Sequence, residues 1–237
     1  GGTLSPQTPL GYFGVNEVMC GRFAITLPDD AMAALFEAAP SNDLPSGPNF
    51  NVCPTVQVHT ITSDEGGRRL RPMRWGFLPH WYKTPTDGPL LINARAETIA
   101  ENPAFRAAAR ERRCLIPASG FYEWTKDGEG NRLPWYIHSR AAGPLAFAGV
   151  WQVWDRAGEA LVTCAIVTTP ASAPMSSIHH RMPVILGAAD WALWLGEAGK
   201  GAATLMKAAP DEALAFFRVD PKVNSNRAEG ADLVEPL

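Results

Sequence analysis

Five short apolar runs between residues 113 and 169 restrict the folds open to this chain more than any other feature. They read RCLIP, GFYEWT, PWYIHS, LAFAGVWQV and ALVTCAIVTT, and two of the intervals, KDGEGN and DRAGE, have the composition of hairpin turns. VQVHTI and RLRPMRWGF form a further pair around the turn SDEGG, and CGRFAIT predicts a first strand. Consecutive hairpins of this kind predict an antiparallel sheet.

Helical patterns lie mostly towards the two ends of the chain. PDDAMAALFEAA, residues 28–39, has apolar residues at i, i+3, i+4 spacing, and ADWALWLGEAG, residues 189–199, is amphipathic. A third, short helix is predicted near 103–110. The 21 Gly and 21 Pro argue against a helical bundle. We therefore predict an α+β fold, a mainly antiparallel sheet or partly closed β-barrel with flanking helices.

The first 18 residues differ in composition from the rest. They are rich in Gly, Pro and Thr and carry one charged residue, Glu17, so we expect an extension outside the fold, either a cloning scar or a mis-assigned start before Met19. Residues 19–237 are predicted to be a single domain. The extension lacks the basic residues of a secretory signal, and no apolar run reaches the roughly 18 residues of a membrane span.

Cysteine spacing and loop composition exclude several kinds of site. The four cysteines are widely separated and form no C-x-x-C pair, so neither a zinc site nor a disulfide framework is expected, and a reducing cytosol fits best. The chain has no G-x-G-x-x-G and no P-loop sequence. We therefore expect no metal and no cofactor.

Charge is distributed unevenly. Residues 68–113 hold ten basic and four acidic residues, an excess of six positive charges, whereas the remainder carries −9 within the total of −3. Such a segment is typical of a protein that binds a polyanion, and equally of an Arg-rich solvated face.

Four polar residues stand in otherwise apolar or strand-like runs. Cys20 opens the first predicted strand, Asn93 lies in LLINARAET, Glu123 lies between aromatics in SGFYEWT, and His179 lies in SSIHHRMPVIL. Each one taken singly also fits an ordinary structural role, such as a turn amide, an outward strand residue or a hydrogen-bonded core histidine.

Several separated blocks resemble one known family. MCGRF, NFNVCPT, RWGFLPHW, NARAET, CLIPASGFYEW and IHHRMPVIL are similar to the signature blocks of the SOS response-associated peptidase (SRAP) family, in the family's order. They span residues 19 to about 230. The resemblance implies an SRAP-like fold and a DNA damage function: binding of abasic sites in single-stranded DNA with covalent DNA–protein crosslinking of AP-lyase type. The family name reflects an older proposal of peptidase, hence hydrolase, activity.

The resemblance also implies the chemistry. Cys20 would be the first residue of the active protein, with everything before it absent. Its α-amine would add to the sugar aldehyde and its thiol would close a thiazolidine ring. Glu123 would act as general acid and base, His179 would protonate or hold the sugar oxygen, and Asn93 would hold the amine or a sugar hydroxyl.

DNA contacts are implied in the same way. Arg side chains suit phosphates, aromatic rings stack on unpaired bases, and a proline can wedge against a base beside the lesion. The candidates are Arg22, Pro54, Trp81, Tyr82, Arg95, Trp124 and Arg181. The chain departs from the family pattern at Cys53, which places a second thiol near the expected site.

Two other functions fit the same residues. The first is a thiol peptidase in which Cys20 is the nucleophile, His179 the base and Asn93 the orienting residue, with the extension removed by self-cleavage. The second is a non-catalytic single-strand binder that uses only the basic segment.

The expected partner is single-stranded DNA with abasic sites. The protein is expected to be a monomer in the cytoplasm, associated with the nucleoid and not with a membrane.

Overall fold

The structure, a computed structural model, describes residues 20–156 and 158–237, so the predicted extension lies outside the described residues. The strands are β1 (Phe23–Ile25), β2 (Ala38–Pro40), β3 (Asn49–Val52), β4 (Gln57–Asp64), β5 (Gly67–Trp75), β6 (Asn93–Arg95), β7 (Arg113–Ala118), β8 (Gly120–Lys126), β9 (Arg132–Ser139), β10 (Leu145–Arg156), β11 (Glu159–Pro170), β12 (Arg181–Pro183) and β13 (Leu214–Arg218). The helices are α1 (Asp29–Phe36), α2 (Arg106–Glu111) and α3 (Ala188–Trp194), and single 3₁₀ turns occur at Met175–Ser177, Ala202–Leu205, Pro221–Asn224 and Ala231–Val234.

Five of the described strands close into a barrel. In the order β11-β10-β7-β4-β5 each strand is antiparallel to the next, and β5 then meets β11 in parallel, with Trp75 opposite Cys164. Strands β2, β6 and β12 pair at the margins of this ring. Closure is one way in which a sheet avoids exposed edges. The predicted α+β fold with a partly closed antiparallel barrel is confirmed.

A second sheet, in the order β13-β9-β8-β1-β3, packs against the barrel and is antiparallel throughout. Aromatic rings fill the space between the two. The Phe23 ring lies 5.0 Å from Trp75 and 5.8 Å from Phe147, and Phe121 lies 5.8 Å from Phe147. All four rings are buried. The inner faces of β1 and β8 are therefore fixed against the barrel core.

A smaller apolar cluster covers the outer face of the second sheet. Side chains alternate along a strand, so Ala24 and Tyr122 face away from the barrel. Val223 and Leu233 pack on them, and all four side chains are fully buried. We call residues 219–234 the C-terminal strap. The second sheet is thus enclosed between the barrel and the strap.

Helix α1 is shorter than the sequence predicted. It ends at Phe36 because Glu37 adopts a left-handed conformation, φ 52°, in which its amide donates to the carbonyls of Ala33 and Ala34. Residues 38 and 39, predicted as helix, instead form β2 with Pro40 beside β5. No helix in the described part of the chain is long and apolar enough to cross a bilayer.

The hairpins predicted from turn composition are confirmed. Strands β4 and β5, β8 and β9, and β10 and β11 each pair across their predicted turn. Strands β6, β12 and β13 had no prediction, because runs of three to five residues carry too little periodicity to distinguish them from loops. They are strands because they pair with β11, in the case of β6 and β12, or with β9, in the case of β13.

We expect Phe23→Ala to lower the free energy of unfolding by about 3–5 kcal/mol, because it leaves a cavity between the barrel and the second sheet. Chemical denaturation followed by circular dichroism measures the change. Val153→Ala is the control, since that side chain on β10 is 48% exposed and should change stability by less than about 0.5 kcal/mol. Equal losses for the two variants would contradict the packing role of Phe23.

Candidate active site

The pairing of β1 with β8 brings Cys20 to Glu123. Phe23 lies opposite Phe121 in the antiparallel register, and the ladder continues to the Tyr122 amide, which donates to the Arg22 carbonyl at 3.0 Å. Beyond it, the backbone N–H of Cys20 donates to Oε2 of Glu123 at 3.4 Å. The two residues, 103 positions apart in sequence, therefore meet at the end of one strand pair.

Both members of this contact are removed from solvent. Cys20 is 1% exposed and Glu123 is 2% exposed. Burial, and secondarily the charge of Glu123, raises the pKa of the Cys20 thiol well above its ordinary value. The backbone of Cys20 has φ 46°, in the left-handed region that residues with a Cβ rarely adopt. In the full chain the thiol is thus kept protonated, and the residue that carries it is conformationally strained.

His179 lies on the other side of Glu123. It follows the turn Met175–Ser177, and its amide donates to the Met175 carbonyl at 3.0 Å. Nδ1 of His179 lies 4.0 Å from Oε2 of Glu123, a distance compatible with an ion pair only if Nδ1 carries a proton. The Arg181 amide donates to the same Nδ1 at 3.0 Å, so Nδ1 is an acceptor. We therefore assign a neutral imidazole whose proton is on Nε2.

The buried Arg181 side chain is anchored by a hydrogen-bond network that reaches the surface at Glu97. Its guanidinium forms a two-bond fork with both carboxylate oxygens of Glu97, and its Nη2 donates to Thr168 Oγ1 at 3.1 Å. Nη2 of Arg95 lies 3.6 Å from the same Glu97 carboxylate. These hydrogen bonds, from Arg181 above all, lower the pKa of Glu97. Because the Arg181 backbone binds His179, this network fixes the ring that faces Glu123.

Asn93 lies on β6, which runs parallel to β11 with Asn93 opposite Ile166. Its side-chain amide donates to the Ile92 carbonyl at 3.2 Å, and the same carbonyl accepts from Trp75 Nε1 at 3.1 Å. The contact of Asn93 with the Cys20 amine therefore stays a prediction. Within residues 20–156 and 158–237, no three His, Cys, Asp or Glu side chains are grouped as a metal ligand set.

Comparison with known proteins identifies the family. Residues 19–226 match the sequence profile described as SOS response associated peptidase (SRAP). The chain belongs to the SRAP family. The resemblance read from the sequence blocks is thereby confirmed.

Relatives extend along nearly the whole chain. It is 35% identical over 224 residues to the abasic site processing protein YoqW of Bacillus subtilis, covering 92% of this chain and 99% of YoqW. It is 28% identical to the abasic site processing protein YedK of Escherichia coli, covering 92% of this chain and 100% of YedK. The X-ray structure of a protein from Bacteroides thetaiotaomicron is similar with a TM-score of 0.81 over 92% of this chain and 100% of that one; at 24% identity it shows a shared fold.

Three of the DNA contacts implied by SRAP membership are accessible. The side chains of Trp81 and Arg95 are 43% and 59% exposed, and Pro54 is half-buried. Trp81 lines an open cavity of about 410 Å³ together with Leu91 and Phe105. An apolar wall with an exposed indole suits an unpaired base.

Tyr82 and Arg181 are buried. The Tyr82 hydroxyl donates to the Pro89 carbonyl at 2.9 Å, and its ring packs with Leu78 and Trp154. The Arg181 side chain is 2% exposed, and its guanidinium is held by the carboxylate of Glu97, which is itself partly exposed. Burial of this kind argues against a base on the Tyr82 ring and against a phosphate on Arg181 in this conformation.

Arg22 and Trp124 lie beneath the C-terminal strap. Arg22 donates from Nη1 to the Val223 carbonyl at 2.6 Å and from Nη2 to the Asn224 carbonyl at 3.0 Å, and Trp124 Nε1 donates to Asn224 Oδ1 at 2.6 Å. By strand alternation they occupy the face of the second sheet opposite to Glu123. Their bonds therefore argue against the predicted DNA contacts and for a structural role.

Sequence analysis missed the residues that support the site. Glu97 holds Arg181, whereas Asn51 and Asn224 hold the strap. The NARAET block contained the only usable signal, an acid two positions after Arg95. Nothing in the local sequence around Asn51 or Asn224 indicates partners more than 100 residues away.

Glu97→Gln tests the anchor of Arg181. Since the folded-state pKa of Glu97 is lowered, its ion pair stabilises the fold above about pH 4.3 and this contribution is lost as the pH falls through the lowered pKa. We expect the variant to lose at least about 1 kcal/mol at pH 7, a value already reduced for the 41% exposure of Glu97, and to approach the parent protein at low pH. Denaturant titrations across this pH range measure the difference.

Glu101→Gln is the matched control for this test. Glu101 is exposed and lies four positions along the same segment, so its substitution should leave the pH dependence of stability unchanged. An identical pH response in both variants would show that Glu97 does not anchor Arg181.

Proposed function

We propose that this protein binds abasic sites in single-stranded DNA and joins to them covalently through Cys20, in a form of which Cys20 is the first residue. One observation carries the proposal: Oε2 of Glu123 contacts the backbone nitrogen of Cys20 while His179 lies 4.0 Å from the same oxygen. Relatives of the SRAP family that bear the name abasic site processing protein support the substrate class.

The reaction needs an amine and a thiol on the same residue. The ring-opened abasic sugar presents an aldehyde at C1′, to which the neutral α-amine adds to form a carbinolamine. Loss of water gives an imine, the thiol sulfur then bonds to the imine carbon, and the thiol proton passes to nitrogen. The five-membered thiazolidine forms with the net loss of one water and without any oxidant. An internal Cys offers only an amide nitrogen, which is not nucleophilic.

Glu123 and His179 have complementary tasks in this proposal. The Glu123 carboxylate contacts the reacting nitrogen, so it accepts the ammonium proton and returns a proton to the departing hydroxyl. His179, with its proton on Nε2, donates a hydrogen bond to the sugar oxygen released on ring opening and keeps its proton. The Cys20 thiol supplies both the sulfur and the proton of the second step.

The backbone of Cys20 also supports a chain that begins there. Its left-handed φ costs about 1–2 kcal/mol because the Cβ approaches a neighbouring carbonyl oxygen. A first residue has no preceding peptide group and hence no φ to strain. Removal of the preceding residues also removes the acyl group from the Cys20 nitrogen. The sugar aldehyde can then reach that nitrogen.

A thiol peptidase is less well supported. Nucleophilic cysteines have lowered pKa values, whereas burial and Glu123 raise the pKa of the Cys20 thiol. A histidine base would also need its Nδ1 held by an orienting side chain, but Nδ1 of His179 accepts from the Arg181 backbone.

A purely electrostatic single-strand binder is also less well supported, because five of the ten basic residues of the segment are half-buried. Arg68 binds Glu197, Arg112 binds the Trp151 carbonyl, and Arg113 binds the Trp194 carbonyl at 2.6 Å. The surplus of positive charge counted along residues 68–113 is therefore only partly available to phosphates.

The start of the chain decides the proposed reaction. We expect protein beginning at Cys20 to couple to single-stranded DNA with an abasic site, adding the mass of the DNA less one water, because only this form has a free amine. The 237-residue chain and a Cys20→Ala variant of the shorter form should not couple. Intact mass spectrometry and denaturing gels report the product. Equal coupling by the full-length chain would refute the amine mechanism.

Glu123→Gln should slow coupling by at least about 100-fold, because a positioned acid–base group contributes this much or more. Single-turnover rates at saturating DNA measure the loss, while binding to DNA with a tetrahydrofuran analogue, which has no aldehyde, should be preserved. Glu229→Gln, at an exposed position of the strap, is the matched control. A Glu123→Gln variant that couples at the parent rate would remove Glu123 from the mechanism.

A further inference from the structure

The segment that carries Cys20 extends beyond its sheet. The register of β1 with β8 starts at Phe23, and the bond from the Tyr122 amide to the Arg22 carbonyl continues it towards the site. Residues 20–22 therefore need another restraint if the Cys20 nitrogen is to stay on Glu123.

The side chain of Arg22 supplies that restraint from the opposite face of the sheet. Its Nη1 donates to Asn51 Oδ1 at 2.9 Å and to the Val223 carbonyl at 2.6 Å, and its Nη2 donates to the Asn224 carbonyl at 3.0 Å. Three charge-assisted hydrogen bonds to one guanidinium make a stiff attachment. The residue two positions after Cys20 is thus fastened to β3 and to the strap.

Asn224 connects this attachment to the strand that bears Glu123. Its carbonyl accepts from Arg22, its Oδ1 accepts from Trp124 Nε1 at 2.6 Å, and its Nδ2 donates to the Arg132 carbonyl at 3.3 Å. Trp124 is the immediate neighbour of Glu123 on β8. Asn224 is half-buried. It therefore forms hydrogen bonds with a residue close to Cys20, with the residue after Glu123, and with β9.

The strap itself is held firmly enough to act as a support. Asn51 donates from Nδ2 to the carbonyls of Ser225 and Ala228, at 3.1 and 3.0 Å, and Val223 is fully buried. The two bonds follow Asn224 in sequence, and the buried side chain of Val223 precedes it. The strap backbone on either side of Asn224 is therefore held in place.

We propose that Asn224 is a positioning residue for the crosslinking reaction. Its side chain bonds Trp124 and the Arg132 carbonyl, and so holds the strand that bears Glu123 against the strap to which Arg22 is fastened. In this way it sets the distance between the Cys20 amine and the Glu123 carboxylate. Its role rests on the proposed function of Cys20. Asn224 touches neither DNA nor the reacting atoms in this arrangement. Its effect is therefore on the chemical step and not on DNA affinity.

The test uses protein that begins at Cys20, which contains all the described strands and helices, and compares Asn224→Ala, Asn224→Asp and Asn226→Ala. We expect Asn224→Ala to slow single-turnover coupling by about 10- to 100-fold, since small misplacements of reacting groups have effects of this size. Affinity for tetrahydrofuran-containing DNA should stay unchanged. Asn224→Asp keeps the Oδ1 acceptor and should recover most of the rate.

Asn226→Ala is the matched control, because Asn226 is exposed and its carbonyl, not its side chain, accepts from the Cys53 thiol.

The pH profile of the coupling rate gives a second readout. A carboxylate beside an amine raises the amine pKa, so a looser contact in Asn224→Ala should move the rise of the coupling rate to lower pH. Destabilisation alone would not shift that profile. Should Asn224→Ala fail to fold, Trp124→Phe, which removes only the Nε1 donor and ring bulk, takes its place with the same expectations.

The outcomes separate the two proposals. If the parent protein couples and Asn224→Ala couples at the same rate with the same pH profile, Asn224 has no positioning role. Loss of affinity for the tetrahydrofuran analogue in step with the coupling rate would likewise overturn it, in favour of a DNA-binding role. If the parent protein beginning at Cys20 does not couple at all, the proposed function itself fails.

Discussion

The antiparallel pairing of β1 with β8 determines where the reactive groups of this protein lie. Phe23 opposite Phe121 places both rings in the barrel core and, by alternation, sets Glu123 on the same inner face. A slip of β8 by one residue against β1 would turn Glu123 away from the barrel and towards the strap. The aromatic packing that fixes this register therefore also fixes the contact between Cys20 and Glu123.

The parts of the fold that follow from the sequence are the local ones. Hairpins such as β8–β9 are specified by their own turn and alternation, so the sheet-rich fold could be predicted. Strand β6 and the Glu97–Arg181 pair depend on partners about 70–85 residues away, and no local pattern encodes them. Of the four predicted catalytic residues, the structure brings Cys20, Glu123 and His179 together, whereas the role of Asn93 has no such support from its hydrogen bond.

Arginine is the residue type whose role is hardest to predict from this sequence, for a physical reason. The same planar fork that suits phosphate also suits a carboxylate or a set of backbone carbonyls, and a sequence does not show which acceptor is in reach. Arg181 meets Glu97, and Arg22 meets the carbonyls of the strap. Both lie two residues after a predicted catalytic residue, and their hydrogen bonds in the described structure are to protein groups. In this chain, an arginine close in sequence to a predicted catalytic residue is as readily a structural support for that residue as a ligand of DNA phosphate.

The buried carboxylate of Glu123 links the proposed maturation of the protein to its stability. A carboxylate in a dry site needs strong donors, and a charged donor is roughly twice as strong as a neutral one. In the full chain Cys20 offers an amide N–H at 3.4 Å. In a chain that begins at Cys20 the same position holds an ammonium group, so the contact becomes an ion pair at the moment the nucleophile is created. Exposure of the amine then strengthens the geometry that the reaction needs, and the ion pair keeps the reactive form in place until an aldehyde arrives.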